Sequence, residues 1–367
     1  MSLLMKAVAA FLGLTDTPAA YAGEAARAAV VNTAEDALEF AAVAESYPKT
    51  VYTTDIIFGP AAAPTVWADL DVLVGPCVAL LRITRAAVAT APMLNFKKKG
   101  DPGDAGLISG LGSSSFLNNT DTIFVFMVTD SAGVIQWRSS IAENMTITRL
   151  AYWPNPPMPE TVIASGALPA LGWYSLDCGV PNALVILSFT RDAGAGTVYL
   201  REHGETHDCD QTSIVNWTGI QVAPTFNYVA MITDADGYID WYSPGPGANF
   251  TITLRVYIGG VEPDSLVLFT GDAPPTGTWW DLDSPNGRCV MILKGLKTAG
   301  AGALPTMYRE NGTAQVIENS SNPGTINMTA LNIIAYTLVL LDQYGTCEWT
   351  SRVASPTLTL TSVGVLR

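Results

Sequence analysis

Trp67-Ala68-Asp69-Leu70-Asp71 returns as Trp173-Tyr174-Ser175-Leu176-Asp177, and again as Trp279-Trp280-Asp281-Leu282-Asp283, at a spacing of 106 residues both times. That period is too long for a solenoid repeat and has the size of a small domain. Three further anchors stay in register with it. An apolar run starts ten residues after each first tryptophan, at residues 77–81, 183–187 and 289–293. A strand closed by charge and glycine follows: Phe96-Lys97-Lys98-Lys99-Gly100, Leu200-Arg201-Glu202-His203-Gly204 and Tyr308-Arg309-Glu310-Asn311-Gly312. The last anchor is a turn leading to a second tryptophan. It starts at Asp130, Asp234 and Asp342 and ends at Trp137, Trp241 and Trp349.

Each copy reads as strands. In Thr146-Ile147-Thr148 and Thr251-Ile252-Thr253 the polar and apolar residues alternate, the pattern of half-buried β structure. The Asp-x-x-Gly turns have a mechanism: the aspartate accepts from the turn backbone, and the glycine takes the left-handed conformation that a bulged hairpin needs. Roughly seven or eight strands per copy suit a two-sheet sandwich. The expected fold is all-β: three tandem homologous β-sandwich domains, jelly-roll-like or immunoglobulin-like, behind a short N-terminal arm. The arm covers residues 1–48 and the copies 49–153, 154–259 and 260–367. Short joints, Pro154-Asn155-Pro156-Pro157-Met158-Pro159 and Gly259-Gly260, keep the copies neighbours, in a row or around a pseudo-threefold.

The charged fraction is 14% and the hydrophobic fraction 49%, yet no apolar stretch approaches the length of a membrane span. Such a neutral surface suits a protein packed against copies of itself or other partners. The net charge of −14 argues against nucleic acid as a ligand, and Lys97-Lys98-Lys99 reads as a solvated hairpin tip. Five cysteines make an odd count. Cys77 and Cys289 share a repeat position with Ala183, the mark of a small buried slot. No disulfide framework emerges, which favours assembly in a reducing compartment.

Candidate chemistry is sparse. The paired tryptophans Trp67, Trp173, Trp279, Trp137, Trp241 and Trp349 read as core or sheet-edge residues. Trp153, Trp217 and Trp280 do not recur at equivalent places, and they are the candidates for exposed glycan contact. Asp71, Asp177 and Asp283 read as turn caps. His203, His207 and Cys209 have the side-chain types of a metal site, but they lie in one copy at no standard zinc spacing. No phosphate loop, nucleophile elbow or zincin helix is present, and no cofactor is expected.

Residues 1–48 are unlike the rest: rich in alanine and without tryptophan. They contain Leu14-Thr15-Asp16-Thr17-Pro18, then Tyr21 and Gly23, then Val31-Asn32 and finally Leu38-Glu39-Phe40. This resembles a short module at the N-terminal side of many tailed-bacteriophage appendage proteins. The match covers about thirty residues and departs at Ala25-Ala26-Arg27, where a Gly-Lys pair is more usual. The resemblance implies a module near the attachment end of a virion, often in trimeric fibres, and assigns anchoring to Leu14, Asp16, Pro18, Tyr21, Leu38 and Phe40. A secretory signal in residues 1–14 is the rival reading, and the module directly behind it argues against cleavage there.

The expected function is that of a non-enzymatic virion structural protein: a tail or head fibre or decoration subunit, assembled in the host cytoplasm. It docks to other virion proteins through its arm, forms a homotrimer and attaches to the host. The alternative is a carbohydrate-binding receptor-recognition protein or secreted adhesin, for which repeated weak sites gain by avidity. An enzyme such as a depolymerase would need a carboxylate pair or a metal, and the copies share no acids beyond those of the turns.

Overall fold

The computed structural model describes residues 27–31, 38–42, 49–85, 93–101, 114–115, 122–167, 169, 172–192, 196–213, 219–220, 227–243, 249–300, 303–311, 325–353 and 356–367. The chain divides into two compact units, residues 1–46 and 47–367. In the first, β1 (Arg27–Val31) pairs antiparallel with β2 (Leu38–Ala42), with Val31 opposite Leu38 and Ala29 opposite Phe40. Leu14, Asp16, Pro18 and Tyr21 lie outside the described residues.

The second unit is all-β, with no helix among the described residues. Its first strand set is β3 (Val51–Ala62), β4 (Ala68–Asp71), β5 (Cys77–Arg85), β6 (Met93–Lys98), β7 (Ser114–Ser115), β8 (Thr122–Val128), β9 (Val134–Ser139) and β10 (Asn144–Pro154). These form two four-stranded sheets, ordered β3-β10-β5-β8 and β4-β9-β6-β7.

The second set contains β11 (Thr161–Ala167), β12 (Tyr174–Asp177), β13 (Ala183–Arg191), β14 (Gly196–Thr197), β15 (Tyr199–Glu202), β16 (Asp208–Ser213), β17 (Gly219–Ile220), β18 (Asn227–Ile232), β19 (Tyr238–Tyr242) and β20 (Asn249–Gly259). Its sheets run β11-β20-β13-β18 and β12-β19-β15, with β14 and β17 paired apart. The third set is β21 (Glu262–Asp272), β22 (Trp280–Asp283), β23 (Val290–Lys297), β24 (Leu304–Glu310), β25 (Thr325–Met328), β26 (Ile333–Leu340), β27 (Thr346–Ser351) and β28 (Thr357–Leu366). Its sheets run β21-β28-β23-β26 and β22-β27-β24-β25, and β16 of the second set joins the first of these alongside β26 as a parallel edge strand. The strand order of the first set thus recurs in full in the third, while the second repeats the first sheet and keeps only three strands of the other.

The apolar runs become β5, β13 and β23. A strand with one wet face would alternate, but residues 77–81, 183–187 and 290–293 are buried without a break, as in a strand covered on both sides. In β23 the two faces serve different cores. Cys289, Met291 and Leu293 join Tyr308, Cys347 and Trp349 in a cluster confined to the third set. Val290 and Ile292 join Leu80, Ile186, Tyr336 and Leu366 in a cluster that runs through all three sets. Period-two geometry makes that division unavoidable. Outer strands β3 and β21, by contrast, are largely exposed. The slot shared by Cys77, Ala183 and Cys289 is fully buried, and none of the five cysteines is in a disulfide.

The turns behave as their composition dictates. The Oδ1 atoms of Asp130, Asp234 and Asp342 each accept two backbone N–H groups, two and four residues on, at 2.8–2.9 Å. Gly133, Gly237 and Gly345 then adopt φ of 82°, 90° and 83°. A side chain at Gly345 would also strike the Ser284 carbonyl oxygen. Replacing Gly345 by valine should therefore cost ~2–3 kcal/mol, the sum of left-handed strain and backbone collision. Leu73 is the opposite case: an exposed leucine held at φ 64°, where the second set has Gly179 at 68°. Leu73→Gly should stabilise by about 0.5–1 kcal/mol. Denaturant titration checks both, and a Gly345→Val midpoint equal to that of the parent would refute the turn argument.

Candidate functional site

Each of β4, β12 and β22 begins one residue after a first tryptophan, so that tryptophan and its successor point to opposite faces. The successors sit opposite the second tryptophans: Ala68 faces Trp137, Tyr174 faces Trp241 and Trp280 faces Trp349. Those second tryptophans are core residues, between 0% and 4% exposed. The first tryptophans are half-buried on the outer face, each beneath a cation. Lys97 Nζ lies 4.6 Å from the Trp67 ring centre and the Arg138 guanidinium 4.8 Å from it. Arg201 covers Trp173 at 4.1 Å, and Arg309 covers Trp279 at 4.0 Å.

Lys97, Arg201 and Arg309 hold one repeat position, so this stack is built three times. It was legible as a basic residue recurring next to Phe96, Leu200 and Tyr308, although the aromatic partner was not. The arginines are anchored in turn: Arg201 donates to the His207 carbonyl at 2.7 Å, and Arg309 Nε donates to Glu348 at 2.8 Å. A sugar ring would have to displace a tethered cation to stack on that indole face.

The three candidate glycan contacts separate. Trp153 is fully buried, its ring centre 5.5 Å from that of Phe126, so its reading as an exposed contact is corrected. It lies on β10, whose alternation turns the indole into the core spanning all three sets. Trp217 lies outside the described residues. Trp280 is 39% exposed, edge-on to Phe269 and Trp349. Of the turn aspartates, Asp71 and Asp177 accept the backbone N–H of Leu73 and Gly179, while Asp283 accepts the Thr346 hydroxyl at 2.7 Å. The lysine run is not a free solvated tip. Lys97 covers Trp67, Lys98 pairs with Glu160 at 2.5 Å and Lys99 pairs with Asp69.

The histidines take different partners. His203 Nδ1 is 2.8 Å from Asp240 Oδ1, and His207 Nδ1 is 2.8 Å from Glu205 Oε1. Cys209 is buried. No group of three His, Cys, Asp or Glu side chains converges on a metal position among the described residues. A cleft of about 250 Å³ beside His203 is lined by Glu202, Asp234 and Asp264 from two strand sets.

Glu205 also carries an ion pair between sets, with Lys294 Nζ at 2.9 Å. Burial pushes its carboxyl up, but Lys294, the His207 ring and the His207 backbone N–H outweigh that and hold it at about 2. Burial likewise works against the Lys294 ammonium, and Glu202 and Glu205 raise its pKa regardless. Burial raises the Cys77 thiol to about 11 and the Cys289 thiol to about 12, so neither is a ready nucleophile.

A carboxylate depressed on folding stabilises above its unfolded value, near 4.5 here, and loses that contribution as pH falls through its folded value. Glu205→Gln should therefore melt below the parent at pH 7, and the gap should close between pH 4.5 and about 2. Thermal melts across that range check it, and a gap independent of pH would refute it.

The chain matches no family model, and no curated protein matches it in sequence.

Proposed function

We propose that the protein is a non-enzymatic structural subunit of a tailed-phage virion. It docks through residues 1–48 and displays three copies of one jelly-roll sandwich as an appendage, fibre or decoration. The observation that carries this reading is the run from Leu14-Thr15-Asp16-Thr17-Pro18 to Leu38-Glu39-Phe40, which resembles the attachment module of phage appendage proteins. The strand order supports the copies. Number the strands of the first set one to eight: one pairs with eight, two neighbours seven, three pairs with six and four neighbours five. Such nested pairing is one long antiparallel hairpin rolled over itself. It differs from the immunoglobulin division into ABED and CFG sheets. The same nesting recurs in the third set, and in the second except that β16 leaves for its neighbour.

Jelly rolls serve both as capsid shells and as lectins, so the strand order is shared with the second reading, a carbohydrate-binding protein. Exposed Trp280 is the observation in favour of that reading. The polar groups favour the structural one: the recurring cations cover indoles, the recurring aspartates cap turns and the two thiols of the shared slot are kept protonated. Cysteines that form no disulfide agree with assembly in host cytoplasm.

Deleting residues 1–48 should abolish incorporation into particles while leaving the remainder expressed. Incorporation of the truncated chain would refute the anchoring role. Trp280→Ala should leave a glycan-array profile unchanged, and a binding signal lost with that indole would shift the assignment to carbohydrate recognition.

A further inference from the structure

We infer that one chain is by itself a closed ring of three units: the third unit docks back on the first, so the threefold arrangement lies within the chain. Three sets of contacts point to this. The first is the charged hairpin tips. Glu202 and Glu205 of the second strand set receive Lys294 of the third, both at 2.9 Å, and Tyr336 Oη donates to Glu202 at 3.2 Å. Glu310 of the third set receives Arg82 of the first at 3.0 Å. Asp101 of the first set receives Arg255 and the Tyr228 hydroxyl of the second. Each set thus gives its tip to the next, and the last gives its tip to the first.

The positions involved are equivalent. Arg82, Ser188 and Lys294 sit opposite Phe124, Tyr228 and Tyr336 in corresponding ladders. The tips place Lys98, Glu202 and Glu310 opposite Ile135, Ile239 and Cys347. Where the tip is a lysine, Lys98, the receiving position is the uncharged Ser188. There Glu160 takes Lys98 at 2.5 Å and Arg255 at 2.9 Å instead. The exception is compensated on both sides of the same joint.

The second observation is the backbone. Pro76, Asn182 and Arg288 follow each other at the repeat spacing, and each carbonyl accepts from the start of the next set. The donors are Asn155 N at 2.8 Å, Val261 N at 3.0 Å and, closing the circle, Tyr52 Oη at 3.2 Å. Arg288 also lies over the Tyr52 ring at 4.5 Å. The third observation is the seam. The chain itself passes from β10 to β11 and from β20 to β21. Between β28 and β3 the passage is made by Thr50 N donating to the Arg367 carbonyl at 2.8 Å.

A head-to-tail interface either closes after a fixed number of members or grows without end. Here it closes at three, and both of its surfaces are used in every unit. This takes the place of the homotrimer that the phage resemblance implies. It rests on the proposed function only in its consequence that a threefold site on a particle would hold one chain.

The test uses the full chain. Its native mass by light scattering should be that of one chain, 38.8 kDa, and a mass of two or three chains would overturn the inference. Glu310→Arg alone and Arg82→Glu alone should each lower the melting temperature by a few degrees. Both changes in one chain should restore most of that loss, while mixing the two single variants should restore none. Rescue on mixing, or failure of the double variant to recover, would overturn the closure. Neither result depends on particle incorporation, so a failed ring and a failed virion assignment are told apart.

Discussion

Strands with no wet face constrain everything else in residues 47–367. Between Val290 and Leu293 every side chain is apolar and buried, and the alternation of a strand sends them to two different interiors. One interior lies between the sheets of the third set. The other exists only because other strand sets bring Leu80 and Ile186 to meet Val290 and Ile292. Exposing either face would return side chains worth ~1.5–3 kcal/mol each to water. A single set could form its own sandwich, yet it would present an apolar sheet to solvent. The sets are therefore neighbours by necessity, and the short joints between them hold them there.

The charged tips play a different part. Part-buried ion pairs such as Arg82–Glu310 contribute about 0–1 kcal/mol, far less than the apolar strands beside them. Their value is in selection. Apolar faces accept many registers, whereas a cation that finds its carboxylate in only one fixes which surface meets which. The exchange of Lys98 and Ser188 for the acid and cation used elsewhere follows that logic, since either change alone would leave a charge at the joint without its counterpart. The cations over Trp67, Trp173 and Trp279 act within each set by tying the outer sheet face to the strand that carries the tip.

Much of this was legible in one dimension. The repeat, the all-β class, the Asp-x-x-Gly hairpins and the buried slot at Cys77, Ala183 and Cys289 follow from spacing and local chemistry, because a turn or a strand face is decided by residues close in the chain. Trp153 was misread for the converse reason. Its lack of a counterpart in the other copies suggested a free side chain, but exposure depends on what packs against β10, and that includes residues distant in sequence. The lysine run was misread likewise, since its partners Asp69 and Glu160 are thirty or more residues away.

Element type, turns and threefold spacing could thus be read from the order of residues, since all are consequences of short-range sterics and hydrophobic period. Only the folded chain shows which sheets share a core, that β16 leaves its own set to pair beside β26, and that Arg82 meets Glu310 across 228 residues. The physical reason is that alternation says how many faces of a strand must be dry but not what dries them. A charge likewise gives no sign of its partner until the chain has brought the two within a few ångströms.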